Sequence, residues 1–253
     1  MMVNTRTPLQ GLRNIIRFNW PFYVLAIAGV FAGMWLATWL GGRFILLGGL
    51  IAIFVLFTTF TSLLVSWYVY DGSDLYGLDW LGDFGQPKNI VNINAGFDET
   101  SSLLAIRFPS AKLRVFDFYD PERHTEPAIK RARKIYPPYP GTELITTSQL
   151  PLAAHSTDLI FLLFAAHEIR NPEERANFFE VLRGSLKPDG KIIVVEHLRN
   201  TANYLAYSFG ALHFISDANW QLTFSSAGFE DVTRTRINPF VVKYTLSPNA
   251  ATS

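Results

Sequence analysis

The chain has 253 residues, of which 49% are hydrophobic, 15% aromatic and only 17% charged, against about 25% charged in an average soluble domain. That composition argues against intrinsic disorder, and a net charge of +1 supplies no basic field for phosphate backbones, so nucleic acid is not among the expected partners. Cysteine is absent, which excludes disulfides, thiolate metal ligands and a cysteine nucleophile.

Charge divides the chain near residue 70. Residues 1–70 contain Arg6, Arg13, Arg17 and Arg43 and no acid; the other 18 basic residues and all 21 acids follow. Pro21–Leu40 and Phe44–Tyr70 are uncharged runs separated by Gly41, Gly42 and Arg43. About 20 apolar residues at 1.5 Å each cross a hydrocarbon core of ~30 Å. We therefore expect two transmembrane helices, about 21–40 and 44–68, folded as a hairpin. Trp20, Tyr23, Trp35, Trp39, Trp67, Tyr68 and Tyr70 sit at the edges of the runs, as interfaces favour. Three arginines before the first run place the N-terminus and residues 71–253 in the cytoplasm, making an integral membrane protein (of the inner membrane in a bacterium). Gly29 and Gly33, and Gly48 and Ala52, are small-residue pairs suited to close helix packing, within the hairpin or in a homodimer.

Residues 71–88 mix Gly, Asp and aromatics and read as a juxtamembrane connector resting on the interface through Tyr76, Trp80 and Leu81. Residues 89–253 then alternate strands and helices. Strands are expected at 89–94, 113–118, 142–146, 158–165 and 191–196, with 229–237 and 240–246 as a closing antiparallel pair. Helices are expected at 100–107, 122–135, 172–186 and 218–227. Lys187–Gly190 reads as a turn. The fold class is α/β: a doubly wound Rossmann-like seven-stranded sheet, with functional residues at the carboxyl ends of its strands.

Leu150-Pro151-Leu152, Ser156–Ile160, Ala165–Ile169 and the run Phe178–Glu196, with its Leu186-Lys187-Pro188-Asp189-Gly190 turn, carry a resemblance. Order and spacing are similar to the second half of class I S-adenosylmethionine-dependent methyltransferases, in general layout like the ubiquinone/menaquinone (type 11) branch. The resemblance implies S-adenosylmethionine as cofactor and covers roughly 89–247.

The family's glycine loop matches Asn92–Thr100, where only the middle glycine, Gly96, persists; Asn92, Asn94 and Asp98 replace the acid and two glycines. Asn94, Ala95, Gly96 and Asp98 are the resulting candidates for the methionine end of the cofactor, with Asp98 and Glu99 also read as helix caps. The acid that takes the ribose hydroxyls matches Asp117, with Phe118 beside it against adenine. An acid is missing after the third strand, where Thr146, Thr147 and Ser148 stand; Thr147, Ser148 and Phe164 complete the cofactor set. His167 and His197 are the candidate general bases, since an imidazole titrates near neutrality. A metal bound by His167, Glu168, Glu196 and His197 is not adopted, because no ligand spacing is diagnostic. Residues 199–216 form an aromatic insertion in which Tyr204, Tyr207, His213 and Phe214 are expected to line an apolar acceptor site. The expected function is methyl transfer to a lipid-like or quinone-like molecule at the bilayer. The alternatives are a diverged fold with other chemistry or a non-catalytic membrane adaptor.

Overall fold

The computed structural model describes residues 6–123 and 126–248. Two of the residues in the expected helix 122–135, His124 and Thr125, lie outside them.

Helices α1 (Gln10–Leu40) and α2 (Arg43–Trp67) pack on each other as a hairpin. Their most apolar windows have mean hydropathies of 1.8 and 2.4, and only 6% of each window is buried. By length and composition both can cross a membrane. Gly48 meets α1 where an added Cβ would stand 2.7 Å from the Ala37 methyl, so absence of a side chain permits the close approach.

α1 begins eleven residues before the uncharged run. Its first turns are polar on one side and lie on the soluble domain: Asp71 caps them by accepting from Gly11 N and Leu12 N, both at 2.8 Å. An acid at a helix N-terminus satisfies free N–H groups and complements the dipole.

The soluble part is a seven-stranded sheet of order β3-β2-β1-β4-β5-β7-β6. Its strands are β1 (Asn89–Asn94), β2 (Lys112–Asp117), β3 (Glu143–Leu144), β4 (Thr157–Leu163), β5 (Leu186–His197), β6 (Asp231–Arg236) and β7 (Val241–Ser247). β1 to β5 are parallel, and β7 runs antiparallel between β5 and β6. The intervening helices are α3 (Ser101–Arg107), α4 (Pro127–Ile135), α5 (Pro172–Ser185), α6 (Thr201–Tyr207) and α7 (Asp217–Ser226). α5, α6 and α7 start where Asn171, Asn200 and Ser216 accept from backbone N–H groups of the first turn.

Two cores follow from the period-2 alternation of side chains along the strands. One face carries Val91, Ile93, Ile160, Leu162, Ile192 and Val194 beneath Phe178, Phe179, Trp220 and Phe224. The other carries Ile90, Leu159, Phe161, Ile193 and Val195. Residues 71–88 cover this second face. Leu75, Leu78 and Leu81 are buried against it, and the Trp80 indole donates to Leu75 O at 2.7 Å. The segment expected to lie on the interface is thus a packed layer of the domain, and each buried leucine contributes ~1.5–3 kcal/mol. Lys187–Gly190 is also not a simple turn. It bulges within β5, whose pairing jumps from Thr157↔Leu186 to Leu159↔Lys191.

Candidate functional site

The carboxyl edge of β1 and β2 brings Asn94 beside Asp117. After β1 the chain turns at Gly96, whose φ of +98° is a conformation glycine adopts without strain. Asn94 Oδ1 accepts from Gly96 N at 3.1 Å and braces the turn. Asp98 Oδ1 accepts from Thr100 N and Ser101 N, both at 2.9 Å, and so caps α3. Asn92 donates to Asp98, Thr100 and Ser101. Asp98 Oδ2 and Asn92 Oδ1 are buried with no hydrogen-bond partner among the described residues. Buried acceptors without partners cost about 1–3 kcal/mol each and invite a cationic donor. Phe97 packs edge-on to Phe18 of α1 at 5.3 Å and against Tyr136.

Asp117 is buried at the end of β2. Its Oδ1 accepts from Tyr119 N at 2.9 Å, and its Oδ2 from Arg133 Nη1 at 2.5 Å. Arg133 also donates to Gly96 O at 3.3 Å, so one α4 side chain bridges both strand ends. The Tyr119 ring lies 4.5 Å from that guanidinium and fills the space above Gly96, where an added Cβ would stand 2.9 Å from it. This edge is closed by Arg133 and Tyr119, neither of which the strand-end pattern singled out. Phe118 points into the core, 5.7 Å from Phe178. Thr147 and Ser148 line a separate depression of about 270 Å³ with Asn171, Glu173, Glu174 and Asn177. There Thr147 donates to Glu174 at 2.5 Å.

At the carboxyl edge of β4 and β5, His167 is the middle residue of a short helical turn, Ala166–Glu168. Its Nδ1 lies 2.7 Å from Glu196 Oε2 and its Nε2 3.2 Å from Glu168 Oε1. Burial alone disfavours charge on this ring, but the charge of Glu196 and the hydrogen bonds the ring donates to both carboxylates push it up to about 10. Glu168 is held well below the usual carboxylate range. Burial opposes this, and is outweighed by hydrogen bonds from His167 and His213. His213, from the aromatic insertion, joins this charged cluster through Glu126 and Glu168.

His197 is different. Its Nε2 meets the Tyr70 hydroxyl at 2.9 Å and its Nδ1 meets Phe240 O at 3.1 Å. Phe164 and Phe214 stack on its two sides at 5.1 and 4.8 Å, with Tyr70 and Tyr207 edge-on at 5.9 and 5.6 Å. Phe164 holds a φ of +51°, a strained conformation for a bulky residue. Burial pulls His197 down to about 4, so the ring is neutral. The unfolded chain takes up this proton near pH 6.5, whereas the folded chain does so only near 4. The resulting stability is present above pH 6.5 and lost as pH falls through that window, by up to about 3 kcal/mol. Thermal midpoints of the detergent-solubilised chain should decline between pH 6.5 and 4, and His197→Gln should flatten the decline.

Of the acceptor candidates, Tyr207 and Phe214 thus wall the His197 cage and His213 belongs to the charged cluster. Tyr204 lies on α6, which packs beside α2, with Leu205, Phe209 and Leu212 exposed next to it. Phe209 is 87% exposed, an apolar surface continuous with the hairpin.

The strand order and the single reversed strand are those of the class I S-adenosylmethionine-dependent methyltransferase fold. Human N-acetylserotonin methyltransferase, solved with S-adenosylmethionine, superposes with a TM-score of 0.50 at 17% identity, over 76% of this chain and 55% of that one. An S-adenosylmethionine-dependent methyltransferase from Aquifex aeolicus gives 0.47 at 17% identity, over 70% and 93%. The chain spans about half the length of the human enzyme. No protein-family model and no curated sequence matches it.

Proposed function

We propose that the chain is a membrane-anchored S-adenosylmethionine-dependent methyltransferase acting on an apolar, lipid-like or quinone-like acceptor. The observation that carries this reading is the juxtaposition of Asp117, Gly96 and the unpartnered acceptors of Asp98 and Asn92 at one strand edge. These residues suit the cofactor in kind: Asp117 would accept both ribose hydroxyls, and Asp98 Oδ2 with Asn92 Oδ1 the ammonium group. Arg133 and Tyr119 must swing off before it enters. Bound there, the cofactor would supply an electrophilic methyl group on a sulfonium.

The chain's own part is orientation and exclusion of water, which can lower a barrier by about 7–11 kcal/mol. Glu196 and Glu168 hold the His167 ring at Nδ1 and Nε2 and keep it charged at neutral pH, so His167 would orient an acceptor as a cationic donor and not take up its proton. His197, sealed by four aromatic rings and bonded at both nitrogens, would instead support the acceptor wall.

Two exposed apolar helices, with arginines ahead of the first, support an anchored hairpin with the domain in the cytoplasm. Tyr204, Leu205, Phe209 and Leu212 would dip into the same bilayer and draw an insoluble acceptor towards the sheet edge. Gly29 and Gly33 leave open space at their Cβ positions, the surface on which a second hairpin would pack.

Incubation of the full chain with methyl-labelled S-adenosylmethionine and a membrane lipid extract should yield one lipid-soluble product carrying the label, seen by mass spectrometry. Failure of the cofactor to bind in calorimetry would overturn the reading. The Arg133 bridge across the edge favours a second reading, a non-catalytic adaptor on this fold. Binding without a labelled product would select it.

A further inference from the structure

Two imidazoles from distant segments converge on one carboxylate oxygen. His167 Nε2 lies 3.2 Å and His213 Nε2 3.5 Å from Glu168 Oε1. Each ring is held from behind by its own carboxylate: His167 Nδ1 by Glu196 and His213 Nδ1 by Glu126, both at 2.7 Å. A carboxylate on one ring nitrogen fixes the tautomer and directs the other lone pair outward, the arrangement that accompanies metal-ligating histidines.

We propose that His167 Nε2, Glu168 Oε1 and His213 Nε2 form a site for one divalent transition-metal ion. Imidazole with carboxylate suits zinc, iron or manganese. Ligand atoms about 2.0–2.1 Å from a tetrahedral ion stand roughly 3.3–3.4 Å apart, close to the two distances observed. One ligand atom from each of the three residues falls within 4.8 Å of the others. The remaining edge closes by a small shift of His213, which ends a surface segment and is 29% exposed.

Charge agrees with geometry. A divalent ion would displace one proton from each ring, so its two charges take the place of the two it releases among the carboxylates of Glu126, Glu168 and Glu196. Arg170 Nη2 lies 2.7 and 2.5 Å from the two ring nitrogens of His213 and 3.8 Å from Glu168. It stands where the ion's charge would be and, being 45% exposed, can withdraw into water. The fourth ligand position would face outward, beside the insertion. Use of the ion on an acceptor oxygen, with His167 then a ligand and not a cationic donor, rests on the function proposed above. Binding of the ion does not.

The test is therefore binding without any methyl donor. Tag-free full-length chain in detergent, stripped with chelator, is titrated with Zn²⁺ by calorimetry and dialysed for elemental analysis. Co²⁺ serves as an absorbing substitute for the coordination geometry. We expect one equivalent of Zn²⁺ per chain. His213→Ala and Glu168→Gln should each weaken it at least 100-fold. Glu196→Gln, which leaves all three ligands in place, should weaken it about 10-fold to 100-fold. Arg170→Ala should tighten it about tenfold. Far-UV circular dichroism and gel filtration establish that each variant is folded; His213 and Arg170 are surface groups whose loss leaves the core intact. Sub-stoichiometric binding by the wild type, or one equivalent that persists in folded His213→Ala and Glu168→Gln proteins, overturns the assignment.

Discussion

Glu99→Ala releases the first turns of α1 from the soluble domain. Glu99 Oε1 accepts from Arg6, Gln10 and Asn14 at 2.8, 3.3 and 3.2 Å, and Oε2 from the Tyr76 hydroxyl at 2.9 Å. Arg6 lies 3.5 Å over the Tyr76 ring, so both ends of the hairpin meet on one carboxylate. Arg6 and Glu99 are mostly buried, at 16% and 14% exposure. Removing one partner of a buried pair costs about 3–5 kcal/mol. Arg6 can reach water, so we expect about 2–4 kcal/mol, centred near a hundredfold. Phe18 on Phe97 and Tyr136, and Tyr136 donating to Asn14, persist and confine the change to local opening. Hydrogen exchange of residues 10–19 in nanodiscs should accelerate by about two orders of magnitude while β1, β4 and β5 stay protected. Glu99→Gln, which keeps an acceptor, should give a smaller increase. Unchanged exchange in the alanine variant would show that the aromatic contacts alone hold the helix.

That contact also shows what a sequence conceals. Arg6 and Glu99 are 93 residues apart, and no local pattern pairs them. β4 and β5 were legible because each carries an apolar run bounded by turn residues, and strand ends announce themselves: Asp117 falls at the end of β2 as expected. The resemblance placed Gly96 at the turn, but Tyr119 and Arg133 close over it by tertiary packing. Leu75, Leu78 and Leu81 carry a spacing of three that suits burial. Surrounding Gly and Asp hid it, and a segment so placed between hairpin and sheet reads as a tether. His167 and His213 were both marked, for different tasks. Only the fold brings the turn after β4 and the end of the insertion onto Glu168. His197 was marked for its position at the end of β5, which says nothing of the four rings around it.

Arg133→Ala and Asp117→Ala should move S-adenosylmethionine affinity in opposite directions. In the closed edge Arg133 occupies Asp117 Oδ2 and Gly96 O together. A ribose must displace it, so the alanine variant at 133 should bind the cofactor about tenfold more tightly. The same change strips a buried carboxylate of its cation. Breaking a buried pair costs about 3–5 kcal/mol, less here because Arg133 is 32% exposed, so the thermal midpoint should fall by several degrees. Asp117→Ala removes the acceptor for two hydroxyls. Hydrogen bonds to a charged group are worth about 1.5–3 kcal/mol each, which predicts binding weaker by about a hundredfold or more. Arg133 then relaxes into solvent, so this variant should lose less stability than Arg133→Ala. Calorimetry with the cofactor and thermal unfolding on the same preparations read both quantities. A purely structural ion pair moves affinity the same way in both variants, following stability. Only a carboxylate that serves the ligand and is screened by its arginine separates the two: tighter binding in a less stable protein at 133, weaker binding in a more stable one at 117.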